Sequence, residues 1–352
     1  MHKICLVMIV KNESEIITRC LQSISPFISS WSISDTGSTD GTQEIIINFF
    51  EKEGIKGHLW EDKWENFGKN RTLAFENAKK VTTDGYYIVM DADSVFSGKL
   101  EVPLEKTNNS FYIPIQNGDI FHRRQLLFNA KLPWIYKGVL HEYPYCADAV
   151  GPIGNITEGK ILDSTTGKRN DDPEKYVKDA ALLLEEVEKA PTPRDCFYLA
   201  QSYRDAGKKH EAARWYQRRT GMDGWDEEIY ISFLNLGRLV ENKWEKLSFF
   251  KQAWRIKNRL EALTEIMRIH RQNNDLKRSW QEGLKGILIE RDDESLFTEM
   301  PVYDYQFLDE LSIAAFCVGQ KDFCRLLFDR MKNIPESQRS RIDDNKRVFS
   351  PI

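Results

Sequence analysis

The chain has 352 residues, enough for two domains and a large core. Hydrophobic residues are 41% and charged residues 30%, an ordinary globular balance, and a net charge of −4 argues against a bulk nucleic-acid binder. Six scattered cysteines without a C-x-x-C pair read as free thiols of a reducing, cytoplasmic compartment. The apolar run Ile4–Val10 is too short for a transmembrane helix, and no small-residue cleavage site follows it, so neither a membrane span nor a secretory leader is expected.

Ile4–Val10 reads as a buried strand. Glu13–Ile24 has helical spacing, with Ile16, Ile17, Cys20, Leu21 and Ile24 on one face. A short strand at Trp31–Ser34 runs into the loop DTGSTDG. Thr42–Glu53 is helical, Gly57–Trp60 a strand, Asn66–Lys79 a helix, and Tyr86–Met90 a fourth strand. Such alternation predicts βαβ units and a mainly parallel sheet. The loops after the strands then share one sheet edge: KNE at Lys11–Glu13, DTGSTDG at Asp35–Gly41, and DAD at Asp91–Asp93. Ligands of open α/β sheets bind beyond that edge. Asp91 and Asp93 offer hard oxygen ligands for a cation shared with substrate phosphates. Taken alone, D-x-D also reads as a solvated strand end or a helix cap.

Three more strands are expected at Phe111–Ile115, Ile120–Phe128 and Trp134–Tyr143. Residues 146–172, rich in Gly, Asp, Asn and Thr, read as loop and linker. From Pro173 the pattern is helical. Glu174–Lys189 is amphipathic, and Arg194–Ala206 and Lys209–Thr220 form a pair around Gly207. With Ala200 and Ala212 at close crossings, this pair resembles a tetratricopeptide repeat. Further helices are expected at Tyr230–Leu239, Trp244–Ile256, Arg259–Gln272 and Leu276–Glu290. The domains expected are 1–170, 171–335 and a C-terminal tail at 336–352.

KNE, DTGSTDGT, NFGKNRTLAF and DAD, in this order, closely resemble glycosyltransferase family 2 with its GT-A fold. The resemblance continues through HRRQLLF and WIYKGVLHEY, as in members that carry tetratricopeptide-like helices. It covers roughly 1–145 with specific motifs and 173–225 more loosely. The fold class implied is α/β: a GT-A, Rossmann-like nucleotide-sugar-binding domain followed by an all-α tetratricopeptide-like domain. The activity implied is metal-dependent, inverting transfer from a nucleotide sugar, a UDP-sugar, to an acceptor protein, glycan or small molecule. The helical domain would serve acceptor binding or a homodimer.

The resemblance also assigns roles. Asn12 and Glu13 line the nucleoside pocket, and Asp35 contacts the base or ribose. The residues themselves also fit helix caps here, by Asn12, Glu13, Ser38, Thr39 or Asp40. Lys69 and Asn70 stand where the family usually has Arg-Asn near the nucleotide. Lysine keeps the charge without the bidentate fork, so Arg71 is an alternative phosphate contact. Asp91 contacts ribose or metal, and Asp93 binds a Mn²⁺ or Mg²⁺ ion bridging the diphosphate. His141 resembles a third metal ligand, which favours Mn²⁺ slightly. Glu142 is the nearest candidate for the general base, with Asp119 in reserve. Neighbours on a strand face opposite ways, so His141 and Glu142 share a site only if the strand ends or bulges there. Arg123, Arg124, Trp134 and Lys137 are candidates for the acceptor side. Trp60, Trp64 and Trp134 fit sugar stacking or ordinary core. A competing class is a helical-repeat scaffold with a degenerate sugar-nucleotide domain, against which the intact motifs argue. A nucleotidyltransferase would show a Gly-rich basic loop, and KNESE is not one.

Overall fold

A computed structural model of the chain describes residues 2–103, 108–163, 172–292 and 295–349. It divides into two compact units, 1–118 with 122–190, and 119–121 with 191–352. The expected boundary between 170 and 171 lies outside the described residues.

In the first unit, alternating apolar strands and amphipathic helices run β1 (Ile4–Val10), α1 (Ile17–Ile24), β2 (Ser30–Asp35), α2 (Thr42–Glu53), β3 (Gly57–Glu61), α3 (Phe67–Val81) and β4 (Tyr86–Val89). There follow β5 (Val95–Gly98), β6 (Ser110–Asn117), β7 (Ile120–Asn129), β8 (Ile135–Lys137), β9 (Tyr143–Tyr145), β10 (Gly154–Asn155), β11 (Gly159–Leu162) and α4 (Lys175–Lys189). The main sheet has the order β3-β2-β1-β4-β7-β6-β11-β5. β1 pairs in parallel with both β2 and β4, and β2 with β3. Val10, Asp35 and Glu61 therefore end side by side in register, and the three motif loops leave from one edge, as the alternation predicts. Residues of β1 and β4 are buried on both faces, which explains their unbroken apolar runs.

Three expectations need correction. Trp134–Tyr143 is not one strand. Chain reversal after Lys137, with Gly138 at φ 96° and His141 at φ 50°, makes a hairpin in which β8 pairs with β9. Residues 146–172 are not merely linker, because β11 enters the main sheet between β6 and β5. Its signal is short: Gly159 and Ile161 face inward while Lys160 and Leu162 face outward. Gly159 is required there, since a β-carbon would stand 2.4 Å from the Phe96 ring. α1 also starts later than its apolar spacing suggests, because Glu13–Ile16 form a turn in which Glu13 O accepts from Ile16 and Ile17.

Among its described residues, the second unit is helical apart from one short strand and the first two residues of β7. It runs through α5 (Pro193–Asp205), α6 (Lys209–Thr220), α7 (Asp226–Leu239), α8 (Lys243–Ile256), α9 (Leu260–Gln272), α10 (Leu276–Gly283), β12 (Thr298–Glu299), α11 (Phe307–Cys317), α12 (Lys321–Arg330) and α13 (Glu336–Phe349). Each helix from α5 to α10 packs on the next, the arrangement of tetratricopeptide-like stacks. Gly207, at φ 73°, supplies the turn between α5 and α6. Gly237 lets α7 approach the Phe250 ring of α8. The segment read as a tail is helical from Glu336 to Phe349 and buries Ile342. Among the described residues, no helix is long and apolar enough to cross a membrane.

Candidate active site

The first two loops are latched together by their own polar side chains. Asn12 takes a left-handed backbone, φ 56°, and its N–H donates to Ser38 Oγ at 2.9 Å. Its side-chain oxygen accepts from Thr39 N–H at 2.8 Å. Glu13 N–H donates to Thr42 Oγ1 at 2.8 Å, and Ser14 N–H donates to Asp40 Oδ2 at 3.1 Å. Desolvation pushes the Asp40 carboxyl up, but the hydrogen bonds from Thr42 and Ser14 outweigh it and hold it down at about 2. Asn12 and Asp40 thus shape the loop that ends in α2.

Asp35 lies at the end of β2, 1% exposed. Its Oδ1 accepts from Gly37 N–H, Ser38 N–H and Gln43 Nε2, each at 2.9 Å. Its Oδ2 is buried and, among the described residues, accepts no hydrogen bond. One oxygen is fixed by three donors and the other is not hydrogen-bonded within the described residues, an uncommon state for a buried carboxylate.

The third cluster forms where α3, β4, β7, β11 and the β8–β9 loop converge. Arg71, on α3, donates from Nε to Glu142 Oε1 at 2.5 Å and from Nη2 to Asp91 Oδ1 at 2.6 Å. Arg124 Nη1 stands 3.7 Å from Asp91 Oδ2 and 4.0 Å from Asp163 Oδ2. Ser94 Oγ donates to Asp163. Burial opposes ionisation of Asp91, yet Arg71 and Arg124 hold its carboxyl down at about 2. Burial also opposes the charge on Arg71, but Asp91 and Glu142 raise its pKa further. For Asp163 burial dominates and its carboxyl is raised. The result is a ladder of alternating charge, Glu142–Arg71–Asp91–Arg124–Asp163, along the ligand edge of the sheet. Cys20 Sγ donates to Asp91 O at 3.4 Å, and burial with the charges of Asp91 and Asp93 pushes its thiol far up.

The chain's own sequence supports one assignment. Residues 5–117 match the family model described as glycosyl transferase family 2. This segment is a glycosyl transferase family 2 domain. Over 166 residues the chain is 26% identical to the SPbeta prophage-derived glycosyltransferase SunS of Bacillus subtilis (strain 168), with 44% of this chain and 37% of that protein aligned. The glycosyltransferase SunS of Bacillus phage SPbeta matches equally. The chain therefore spans well under half the length of these curated relatives. Among solved structures, S. aureus TarS 1-349 in complex with UDP aligns over 77% of this chain and 92% of that one, at 14% identity and a TM-score of 0.35. MamA aligns over 49% and 92%, at 11% identity and a TM-score of 0.36.

Within the family 2 domain the motif residues divide by what they touch. Asp35 is the last residue of β2, while Asp91, Asp93, His141 and Glu142 lie on loops past strand ends of the first unit, Asp93 half-buried in the DAD turn and His141 exposed on the β8–β9 loop. Lys69 pairs with Glu65 at 2.6 Å on the surface. Asn70 holds the loop before α3, its Oδ1 accepting from Glu65 N–H at 2.9 Å and its Nδ2 donating to Lys63 O at 3.0 Å. Asp119 groups with the second unit, exposed in the β6–β7 turn, where its carbonyl accepts from Met300 N–H. Among the described residues there is no group of three or more His, Cys, Asp or Glu placed to hold a metal ion. Trp134 is core, and Trp60 donates to Ser32 Oγ at 3.0 Å beneath α3. Trp64 is half-exposed beside Phe67.

Sequence reasoning missed Gln43 and Asp163, and it did not foresee that Arg124 meets Asp91. Gln43 directly follows the DTGSTDGT motif, so its position was available. Asp163 follows β11, in a stretch too polar and Gly-rich to read as a strand. Arg124, read as an acceptor-side residue, meets Asp91 because β7 pairs antiparallel with β4.

Proposed function

We propose that this protein transfers a sugar from a nucleotide sugar, a UDP-sugar, to an acceptor nucleophile with inversion at the anomeric carbon. The observation that carries this reading is Asp35, whose buried Oδ2 has no donor among the described residues, at the ligand edge of a family 2 domain. Uracil presents an N–H donor on its pairing edge and ribose presents hydroxyl donors; either would satisfy that oxygen. Cytosine presents an acceptor at the equivalent ring nitrogen and would repel it.

In the reaction, an acceptor oxygen or nitrogen bonds to the anomeric carbon from the face opposite the leaving group. The bond from that carbon to the diphosphate oxygen breaks, and its electron pair leaves with the nucleoside diphosphate. The acceptor proton passes to a carboxylate, for which Glu142 is the candidate. Its Oε2 makes no hydrogen bond among the described residues, while Oε1 is held by Arg71. Asp119 stays in reserve.

A divalent ion is part of the proposal. Asp91 is held by two guanidinium groups, so the ion would take Asp93 and His141 together with diphosphate oxygens, a carboxylate and imidazole set that suits Mn²⁺. When bound, it neutralises charge on the departing diphosphate. The helical unit, with its extended stack, would take the acceptor or a second copy of the chain.

Titration calorimetry with UDP, CDP and GDP, with and without Mn²⁺, tests the donor class. Metal-assisted UDP binding with CDP silent is the expected result. Equal binding of all three would remove uracil reading by Asp35 and leave it a contact to ribose alone.

A further inference from the structure

Arg71 is 7% exposed and carries a full charge into the protein. The sequence offers it as a phosphate contact. In the structure two of its three nitrogens are already engaged: Nε donates to Glu142 and Nη2 to Asp91, with the guanidinium carbon 5.8 Å from the centre of the Tyr136 ring. Glu142 sits in the loop between β8 and β9, where Gly138 and His141 both have left-handed backbones and the hairpin ladder has not yet begun. No strand pairing fixes its side chain, and Arg71 is its only hydrogen-bond partner among the described residues. Asp91 in turn keeps Arg71 from being neutralised by Glu142 alone, and Arg124 balances Asp91 from the other side.

We propose that Arg71 is a positioning residue that acts through Glu142: its guanidinium, anchored on Asp91, fixes the Glu142 carboxylate at the acceptor side of the sugar. This rests on the glycosyltransferase reading above. A planar fork can hold two carboxylates in fixed directions, which lysine cannot. Arg71 then contributes to turnover without touching donor or acceptor.

The test is a double-mutant cycle in the full chain, reading UDP release from a panel of UDP-hexoses with Mn²⁺. Arg71→Met and Glu142→Gln should each lower kcat by ~10²-fold or more, the scale of a lost proton-transfer group, with donor KM changed less than threefold. Arg71→Met/Glu142→Gln should be no slower than Glu142→Gln alone, because the residue through which Arg71 acts is already gone. The double variant also removes one of the two carboxylates that Arg71→Met leaves facing each other, which protects the fold. Arg71→Lys should fall between wild type and Arg71→Met. Multiplicative losses, or a donor KM raised tenfold with kcat kept, would overturn the proposal. A crystal structure of Arg71→Met gives an answer independent of activity: Glu142 displaced supports it, and Glu142 in its original position overturns it. Failure of wild type to bind or cleave any UDP-sugar would instead sink the donor reading.

Discussion

Gly68 and Gly138 meet backbone to backbone: a β-carbon on Gly68 would stand 2.1 Å from the Gly138 carbonyl oxygen. One belongs to NFGKNRT and the other to WIYKGVLHEY, so this contact joins two motifs seventy residues apart. Thr72 reinforces it, accepting from Tyr136 N–H at 2.9 Å and donating to Gly68 O at 2.8 Å. The contact seats the hairpin loop that bears His141 and Glu142 against the helix that bears Arg71.

Gly68→Ala should therefore push the hairpin off α3. The expected cost is ~1–3 kcal/mol of stability, the range for overpacking against atoms that cannot retreat. Activity should fall more than stability suggests, because Glu142 moves with the loop. Chemical denaturation together with UDP release measures both. Unchanged activity in a folded Gly68→Ala protein would show that the loop's seat is unimportant.

Asp35→Asn should keep the loop and lose the nucleotide. The amide oxygen can still accept from Gly37, Ser38 and Gln43, while the amide nitrogen presents a donor where Oδ2 now lies. Losing one hydrogen bond to a charged group is worth ~1.5–3 kcal/mol, so UDP affinity should drop at least about tenfold. Calorimetry on the folded variant decides it.

Asp93→Ala should lower transfer by about a hundredfold or more at saturating donor, since charge neutralisation by a bound ion is worth several kcal/mol. The melting temperature should hold within a few degrees, as Asp93 is half-buried in a turn. His141→Ala should raise the Mn²⁺ concentration needed for half-maximal rate. Identical metal dependence in both variants and wild type would remove the ion from the mechanism.

Asp40 predicts a pH effect on stability. Its folded carboxyl is depressed from 3.8 to about 2, so it binds its proton more weakly folded than unfolded. Its contribution is complete above the unfolded value and is lost as pH falls toward 2. Thermal melts from pH 5 to pH 2 should show a shallower acid decline for Asp40→Asn than for wild type. Parallel declines would mean that the latch between the first two loops does not sense this proton.

In the helical unit, Arg259 donates to Glu227 at 2.7 Å and to Glu261 at 2.7 Å, with all three residues buried. Arg259→Ala would strand two carboxylates and should cost ~3–5 kcal/mol. Urea unfolding of the full chain checks this, and a loss below 1 kcal/mol would mean that water or a neighbouring cation takes over.

The sequence by itself determined the half-sheet β1–β4, because buried parallel strands are written as apolar runs and the helices between them keep a local period. It also determined which loops meet at the ligand edge, since the direction of each βαβ unit follows from chirality. Asp35, Asp91 and Asp93 were legible for that reason. What each carboxylate touches was not. Arg71 faces two acids rather than a solvated helix side because α3 is seated by Gly68 on Gly138, a contact set by non-local backbone approach. Asp163 joins the ladder only because a four-residue strand from a polar stretch inserts between β6 and β5. Pairings of this kind depend on register between distant segments, and no local pattern encodes them. Only the tertiary structure decided that His141 and Glu142 share a loop: the chain reverses at Gly138, which frees both from the alternation of a strand.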